Sequence, residues 1–116
     1  GGRIMALQRS GVLLPGQSSQ FHVAFANALP RPVFAFVVLG VFDSAGHPLA
    51  ELSPQVIAVA GASAATASFD WTPAELPPGD YSAVAWVTAG EEVSGPLSRS
   101  FQVRGVYLPL VVRQYP

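Results

Sequence analysis

Cysteine is absent from the 116 residues, which excludes disulfide cross-links, a thiolate nucleophile and a cysteine metal site. That absence fits the cytosol and many exported bacterial proteins alike. Lysine is absent too, and six arginines against seven acids leave a net charge of −1. No basic field exists to hold a phosphate backbone, so nucleic acid is not an expected partner. Without lysine there is no Walker-type phosphate loop, and no Gly-x-Gly-x-x-Gly occurs. Charged residues make up 11% of the chain, where an average soluble domain has about 25%, too few to coat a whole surface. The most apolar run, Val33 to Phe42, is about half of the roughly 20 residues that a membrane-spanning helix needs. No transmembrane segment is expected. Gly1-Gly2-Arg3 is not followed by the apolar run of a signal peptide, and the chain reads as an excised fragment. Missing lysine, a single asparagine and abundant Ala, Gly, Pro and Arg fit a GC-rich bacterial coding bias. Heat adaptation would instead enrich Lys and Glu.

Half the residues are apolar, enough for one core and one domain at this length. Val-, Phe- and Ala-rich runs alternate with period two, and turn signals separate them at intervals of about ten residues, the spacing of an all-β sandwich or barrel. The expected strands are Ile4 to Gln8, Ser19 to Asn27, Val33 to Asp43, Ala65 to Trp71, Tyr81 to Ala89 and Leu97 to Arg104. Pro48 to Leu52 and Gln55 to Ala60 add a bent edge strand in two pieces. Ser94-Gly95-Pro96 reads as a break before the last strand. The alanine-rich stretch Ala58 to Ala67 has helical propensity, but Gly61 and the alternation favour strand.

Between two of these strands lies Leu76-Pro77-Pro78-Gly79-Asp80-Tyr81. Two prolines fix φ, Gly79 supplies a turn without a Cβ, and a polar-tipped aromatic opens the next strand. Pro78, Gly79 and Tyr81 are therefore expected to form a structural corner between two sheets, with the Tyr81 hydroxyl bonded to backbone a few residues upstream. Together with Leu14-Pro15-Gly16-Gln17 ahead of an alternating strand ending in Asn27, with Phe42-Asp43-Ser44-Ala45-Gly46 and with Phe69-Asp70-Trp71, this corner resembles the bacterial cell-adhesion-related immunoglobulin-like domains. The chain is also similar to fibronectin type III-like modules and, more distantly, to the BsuPI-type proteinase inhibitor domain. The likeness runs from about Leu13 to Val103. It implies an immunoglobulin-like antiparallel β-sandwich of about seven strands in two sheets, attached to a larger exported protein, secreted or at the cell surface. Its implied work is adhesion, spacing or protein binding. No inhibitor reactive loop maps onto these residues.

If Tyr81 faces inward, alternation sends Ala83, Ala85 and Val87 inward and Val84, Trp86 and Thr88 outward. The neighbouring strand would then present either Phe34, Phe36, Val38 and Phe42 or Val33, Ala35, Val37, Leu39 and Val41 on its outer face. Both sets are apolar, so Phe34, Phe36, Val84 and Trp86 are the candidate protein-contact face. A one-residue slip at a bulge would instead make Trp86 ordinary core. Residues 1–105 form the expected sandwich, and 106–116 an apolar tail that docks or pairs at an edge through Tyr107, Leu108, Leu110, Val111 and Val112. Pro109 confines it to an edge position or an irregular docked segment. Its composition looks like the apolar endings of some secreted bacterial proteins.

No catalytic constellation emerges. His47 lies four residues from Asp43 and His22 on a strand face, but no serine elbow accompanies them. Asp70, Asp80, Glu91 and Glu92 lie near turns without the spacing of an acidic calcium loop. Trp71, Trp86, Tyr107 and Tyr115 are the aromatics that would serve a sugar platform, although Trp71 reads first as core or corner packing. The expectation is a noncatalytic accessory, adhesion or spacer module with no cofactor or metal. Its partners would be other domains of its parent, a surface protein or a second copy; the alternative is a carbohydrate-binding accessory domain.

Overall fold

In a computed structural model the described residues are 2–10, 18–72 and 76–104. Eight strands account for most of them: β1 (Gly2–Ser10), β2 (Ser19–Asn27), β3 (Val33–Asp43), β4 (Pro48–Glu51), β5 (Gln55–Val59), β6 (Ser63–Trp71), β7 (Gly79–Ala89) and β8 (Glu92–Val103). A three-stranded sheet runs β1-β2-β6, and a five-stranded sheet runs β4-β3-β7-β8 with β5 also on β3. All pairings are antiparallel. This is an immunoglobulin-like β-sandwich, and the alanine-rich stretch lies in strand. The Leu14-Pro15-Gly16-Gln17 turn and the tail 106–116 fall outside the described residues.

Three local features differ from the sequence reading. The two pieces between Pro48 and Ala60 are separate strands, which makes eight rather than seven. β4 pairs with Gly40 to Phe42 of β3, whereas β5 pairs with Val33 to Val37. Pro54, which cannot donate to a ladder, lies in the gap between them. β1 extends beyond Ile4 to Gln8 at both ends. β8 begins at Glu92, and the supposed break at Ser94-Gly95-Pro96 is a bulge within it. Ala85 pairs with Leu97 and Val87 with Ser94, so Gly95 and Pro96 are accommodated opposite Trp86. The ladder of β1 also shifts register between Ile4 and Ala6, and the Ile4 N–H donates to Ser94 Oγ at 3.0 Å. The two irregular edges thus meet and join the sheets.

Alternation decides what fills the space between the layers. β2 turns Phe21, Val23 and Phe25 inward, and β6 turns Ala67, Phe69 and Trp71 inward. Opposite them β3 and β7 offer Ala35, Val37, Leu39, Val41, Ala83, Ala85 and Val87, all fully buried. Bulky rings on one sheet therefore meet small side chains on the other, which lets the layers interdigitate. At one end of the sandwich Phe101 gathers Phe21, Trp71 and Tyr81 at centroid distances of 5.5, 5.6 and 6.0 Å. Such ring pairs contribute about 1 kcal/mol each beyond area burial. Beside this cluster Tyr81 is buried and its hydroxyl donates to the Pro77 carbonyl. Gly79 holds φ at +156°, a region that side chains with a Cβ rarely enter.

Asn27, the sole asparagine, closes the opposite end. Its buried amide nitrogen donates towards the Arg31, Val59 and Ala60 carbonyls at 2.8, 3.3 and 3.2 Å, and its oxygen accepts from the Leu29 N–H at 3.0 Å. One side chain of β2 thus ties the three-stranded sheet to the end of β5 in the other. Gly61 follows directly and lies so near the Pro30 carbonyl that an added Cβ would come within 2.3 Å of it. Among the described residues no buried side-chain nitrogen or oxygen lacks a hydrogen-bond partner.

Asn27→Ala strands buried backbone groups and should cost about 2–3 kcal/mol. The urea midpoint should fall with the slope unchanged, and an unmoved midpoint would contradict the clamp. Tyr81→Phe keeps the ring and removes only the bond to Pro77, so a loss of about 1 kcal/mol is expected. Indistinguishable melting curves for the two proteins would show that the corner does not depend on that hydroxyl.

Candidate contact face

The two outer faces of the sandwich differ in chemistry. On the three-stranded sheet the outward positions carry Gln8, Gln20, His22, Thr66, Ser68 and Asp70 among small alanines, and Met5 at the β1 irregularity is, among the described residues, the one large apolar side chain of that sheet left exposed. Gln20 donates to Asp70 at 2.8 Å, and His22 Nδ1 lies 3.0 Å from Ser68 Oγ. Cross-strand polar pairs of this sort belong to a face in contact with water.

The five-stranded sheet is different. β3 turns Phe34, Phe36, Val38 and Phe42 outward, and β7 turns Val84, Trp86 and Thr88 outward. Of the two sets that the sequence left open on β3, the phenylalanine set faces out. Trp86 stands opposite Val38, and Val84 opposite the buried Gly40. Val56 of β5 sits beside Phe36. Phe34 is 73% exposed, Val56 62% and Phe36 43%, whereas Trp86 and Val84 are half-buried. Together they make a contiguous apolar ridge near the Asn27 end. Towards the other end, Phe42, Pro48, Leu49 and Trp86 line a shallow groove of about 300 Å³ with Glu51 at its lip. Beyond it the face becomes polar, with Asp80, Ser82, Ser98, Ser100 and Gln102 around a second depression.

Other singled-out residues fall into structural settings. Trp71 is 8% exposed within the ring cluster, which removes it as a sugar platform. Tyr107, Leu108, Leu110, Val111, Val112 and Tyr115 lie outside the described residues. Asp70 is held by Gln20, Asp80 accepts from Gln102 at 3.0 Å, and Glu91 and Glu92 lie at the turn between β7 and β8. Among the described residues no three His, Cys, Asp or Glu gather as a metal cage. Asn27 was not legible as a clamp. Being the only asparagine, at the end of an alternating strand, was the available signal.

Asp43 and His47 organise the turn between β3 and β4. Asp43 Oδ1 accepts from the Ala45 and His47 N–H groups at 3.0 and 2.8 Å, and Oδ2 lies 3.1 Å from His47 Nδ1. The His47 backbone N–H is the largest cause that holds the Asp43 carboxyl below its ordinary 3.8, with His47's side chain and the Ala45 N–H adding to it against some desolvation. An exposed imidazole paired with an aspartate inside one turn orders that turn.

No family model and no curated protein matches the sequence. Solved structures do match in fold. The C-terminal domain of Wzt aligns at TM-score 0.65 and 16% identity, covering 99% of this chain and 84% of that one. The CARDB domain of the PF1109 protein from Pyrococcus furiosus, solved in complex with di-metal ions, aligns at 0.59 and 16%, covering 91% and 88%. The alkylpurine DNA glycosylase AlkC of Pseudomonas fluorescens, bound to DNA containing an abasic site analog, aligns at 0.62 and 16% over 89% of this chain. This chain spans only 30% of that enzyme. At such identities the likeness shows the fold alone. Among the described residues no helix is long and apolar enough to cross a membrane.

A carboxylate whose folded pKa is depressed contributes stability above its unfolded value and loses it as pH falls through the folded one. For Asp43 that window lies below 3.8. Urea midpoints measured between about pH 5 and about pH 2 should therefore fall less steeply for Asp43→Asn than for the parent. Parallel profiles would show that the turn contributes nothing to acid sensitivity.

Proposed function

We propose that this chain is a noncatalytic immunoglobulin-like accessory module of an exported bacterial protein, working as a spacer and by protein–protein contact. The observation that carries the reading is the asymmetry of the outer faces. One is polar and cross-paired, and the other exposes Phe34, Phe36 and Val56 beside Val84 and Trp86. Exposed apolar surface that is contiguous and rimmed by polar groups marks an interaction site on a soluble domain. Aromatic residues at its centre are the side chains that dominate protein interfaces.

The path of the chain supports the spacer half of the reading. β1 starts beside Asn27, and β8 ends beside Gly79 at the opposite end of the sandwich. Strands of nine to twelve residues separate these ends by about 30 Å. First and last strands that end at opposite poles suit a spacer. The cell-adhesion-related finer type draws support from the fold match to a CARDB domain, and the cell-surface or secreted setting from the sequence resemblance. A shortage of charge, with net charge −1, speaks against a nucleic-acid role despite the fold match to part of a DNA glycosylase.

A photo-crosslinking amino acid placed at Phe36 in the whole parent protein, in its own host, tests the contact. A discrete protein adduct is expected from that site, and none from the same probe at Thr66 on the polar face. Adducts from neither site would overturn the reading. A glycan array on which binding is abolished by Trp86→Ala would replace it with carbohydrate recognition.

A further inference from the structure

We propose that the groove between Phe42, Leu49 and Trp86 is the seat of this chain's own segment 106–116, docked over the five-stranded sheet by its side chains. The groove shares Trp86 with the contact face but not the more exposed Phe34, Phe36 and Val56, which an external partner could still reach. Its lining is apolar on three strands: Val38 and Phe42 from β3, Pro48 and Leu49 from β4, and Trp86 from β7. Half-buried Trp86 at its far end presents a large ring surface that water alone covers poorly.

Chain length and exit point favour this occupant. β8 belongs to the same sheet, and its last residue Val103 lies opposite Gly79. From there the near end of the groove at Phe42, opposite Ser82, is two strands across and three residues along. That is a diagonal of about 14 Å. Leu108 to Leu110 lie four to six residues beyond Arg104, a reach of about 13–20 Å. Val111 and Val112 extend it towards Trp86.

The chemistry of the segment agrees. Period-two alternation puts Leu108, Leu110 and Val112 on one side, an apolar edge for the groove. Pro109 cannot donate to a sheet ladder, so side-chain burial in a groove suits this sequence better than addition as a strand. Its one charge, Arg113, is positive, whereas Asp43, Glu51 and Asp80 bordering the groove and the path are acids.

The native chain has no cysteine, so an introduced pair reports cleanly. Leu49→Cys with Leu110→Cys, in the full chain at low concentration, should oxidise to a monomer with an internal disulfide, because docking brings the two positions within bonding range. Thr66→Cys with Leu110→Cys should stay reduced, since position 66 is on the polar face. Linked dimers would assign the groove to a second copy's segment and overturn the proposal. Equal linking of both pairs, or of neither, would overturn it as well. In a second measurement Leu108→Ser, Leu110→Ser and Val112→Ser are combined in the full chain. The amide resonances of Val38 and Leu49 and the indole resonance of Trp86 should shift, while those of Ser68 and Asp70 stay in place. Unmoved Trp86 resonances would contradict docking whatever the crosslinking at Phe36 shows, so the two readings fail separately.

Discussion

The inward phenol of Tyr81 is the constraint on which the arrangement of the five-stranded sheet depends. Its hydroxyl reaches the Pro77 carbonyl, its ring stacks on Phe101, and the strand that follows has no freedom left in parity. Because side chains alternate strictly, fixing one residue fixes all of them. Ala83, Ala85 and Val87 must then be core, and Val84 and Trp86 must be outside. The opposite parity would push an indole into space already filled by Phe21, Phe25 and Phe69 from the other layer. Overpacking on that scale costs more than a sandwich of this size can spare. Small residues on β7 are thus the complement of large ones on β2 and β6.

This dependence explains how much of the fold was legible beforehand. β2 and β3 were readable to their terminal residues, because Phe21-x-Val23-x-Phe25 is a clean alternation and Val33 to Phe42 is an apolar run bounded by proline on one side and by the Asp43 turn on the other. The corner was readable because its chemistry is local. Features set by tertiary pairing were not. Whether Ser94-Gly95-Pro96 ends a strand or bulges within one depends on what lies opposite, and Trp86 of β7 lies there. The division of residues 48–60 into two strands depends on which half of β3 each one meets. Asn27 looked like a strand end because its partners at 59 and 60 are far away in sequence. The outer face of β3 was undecided because both its faces are apolar, and only registry with β7 chooses between them.

The candidate face was legible in kind rather than in shape. An apolar outer surface followed from Trp86 parity and from the shortage of charged residues in the whole composition. Its division into a ridge and a groove did not follow, because it arises from β4 and β5 reaching β3 at different heights. β5 brings Val56 beside Phe36 and raises the ridge, while β4 brings Pro48 and Leu49 beside Phe42 and walls the groove.

The same division bears on which surfaces of the sandwich are open to association. Several sheet edges are covered: β1 meets β8 through Ile4 and Ser94, and β5 lies against β6 at the other side, while the short β4 keeps an outer edge. Edge-to-edge association, the usual hazard of antiparallel sheets, is thereby reduced. The remaining hazard is the apolar face itself, which strand pairing does not cover. A segment of the same chain seated on part of that face would remove apolar area from water at little translational cost, because its effective concentration is set by a short connection from β8. The Phe34–Phe36–Val56 ridge lies outside that groove, at the end of the sandwich where β1 begins. The groove beside β4 and the exposed ridge beside β5 thus both descend from the parity that Tyr81 imposes.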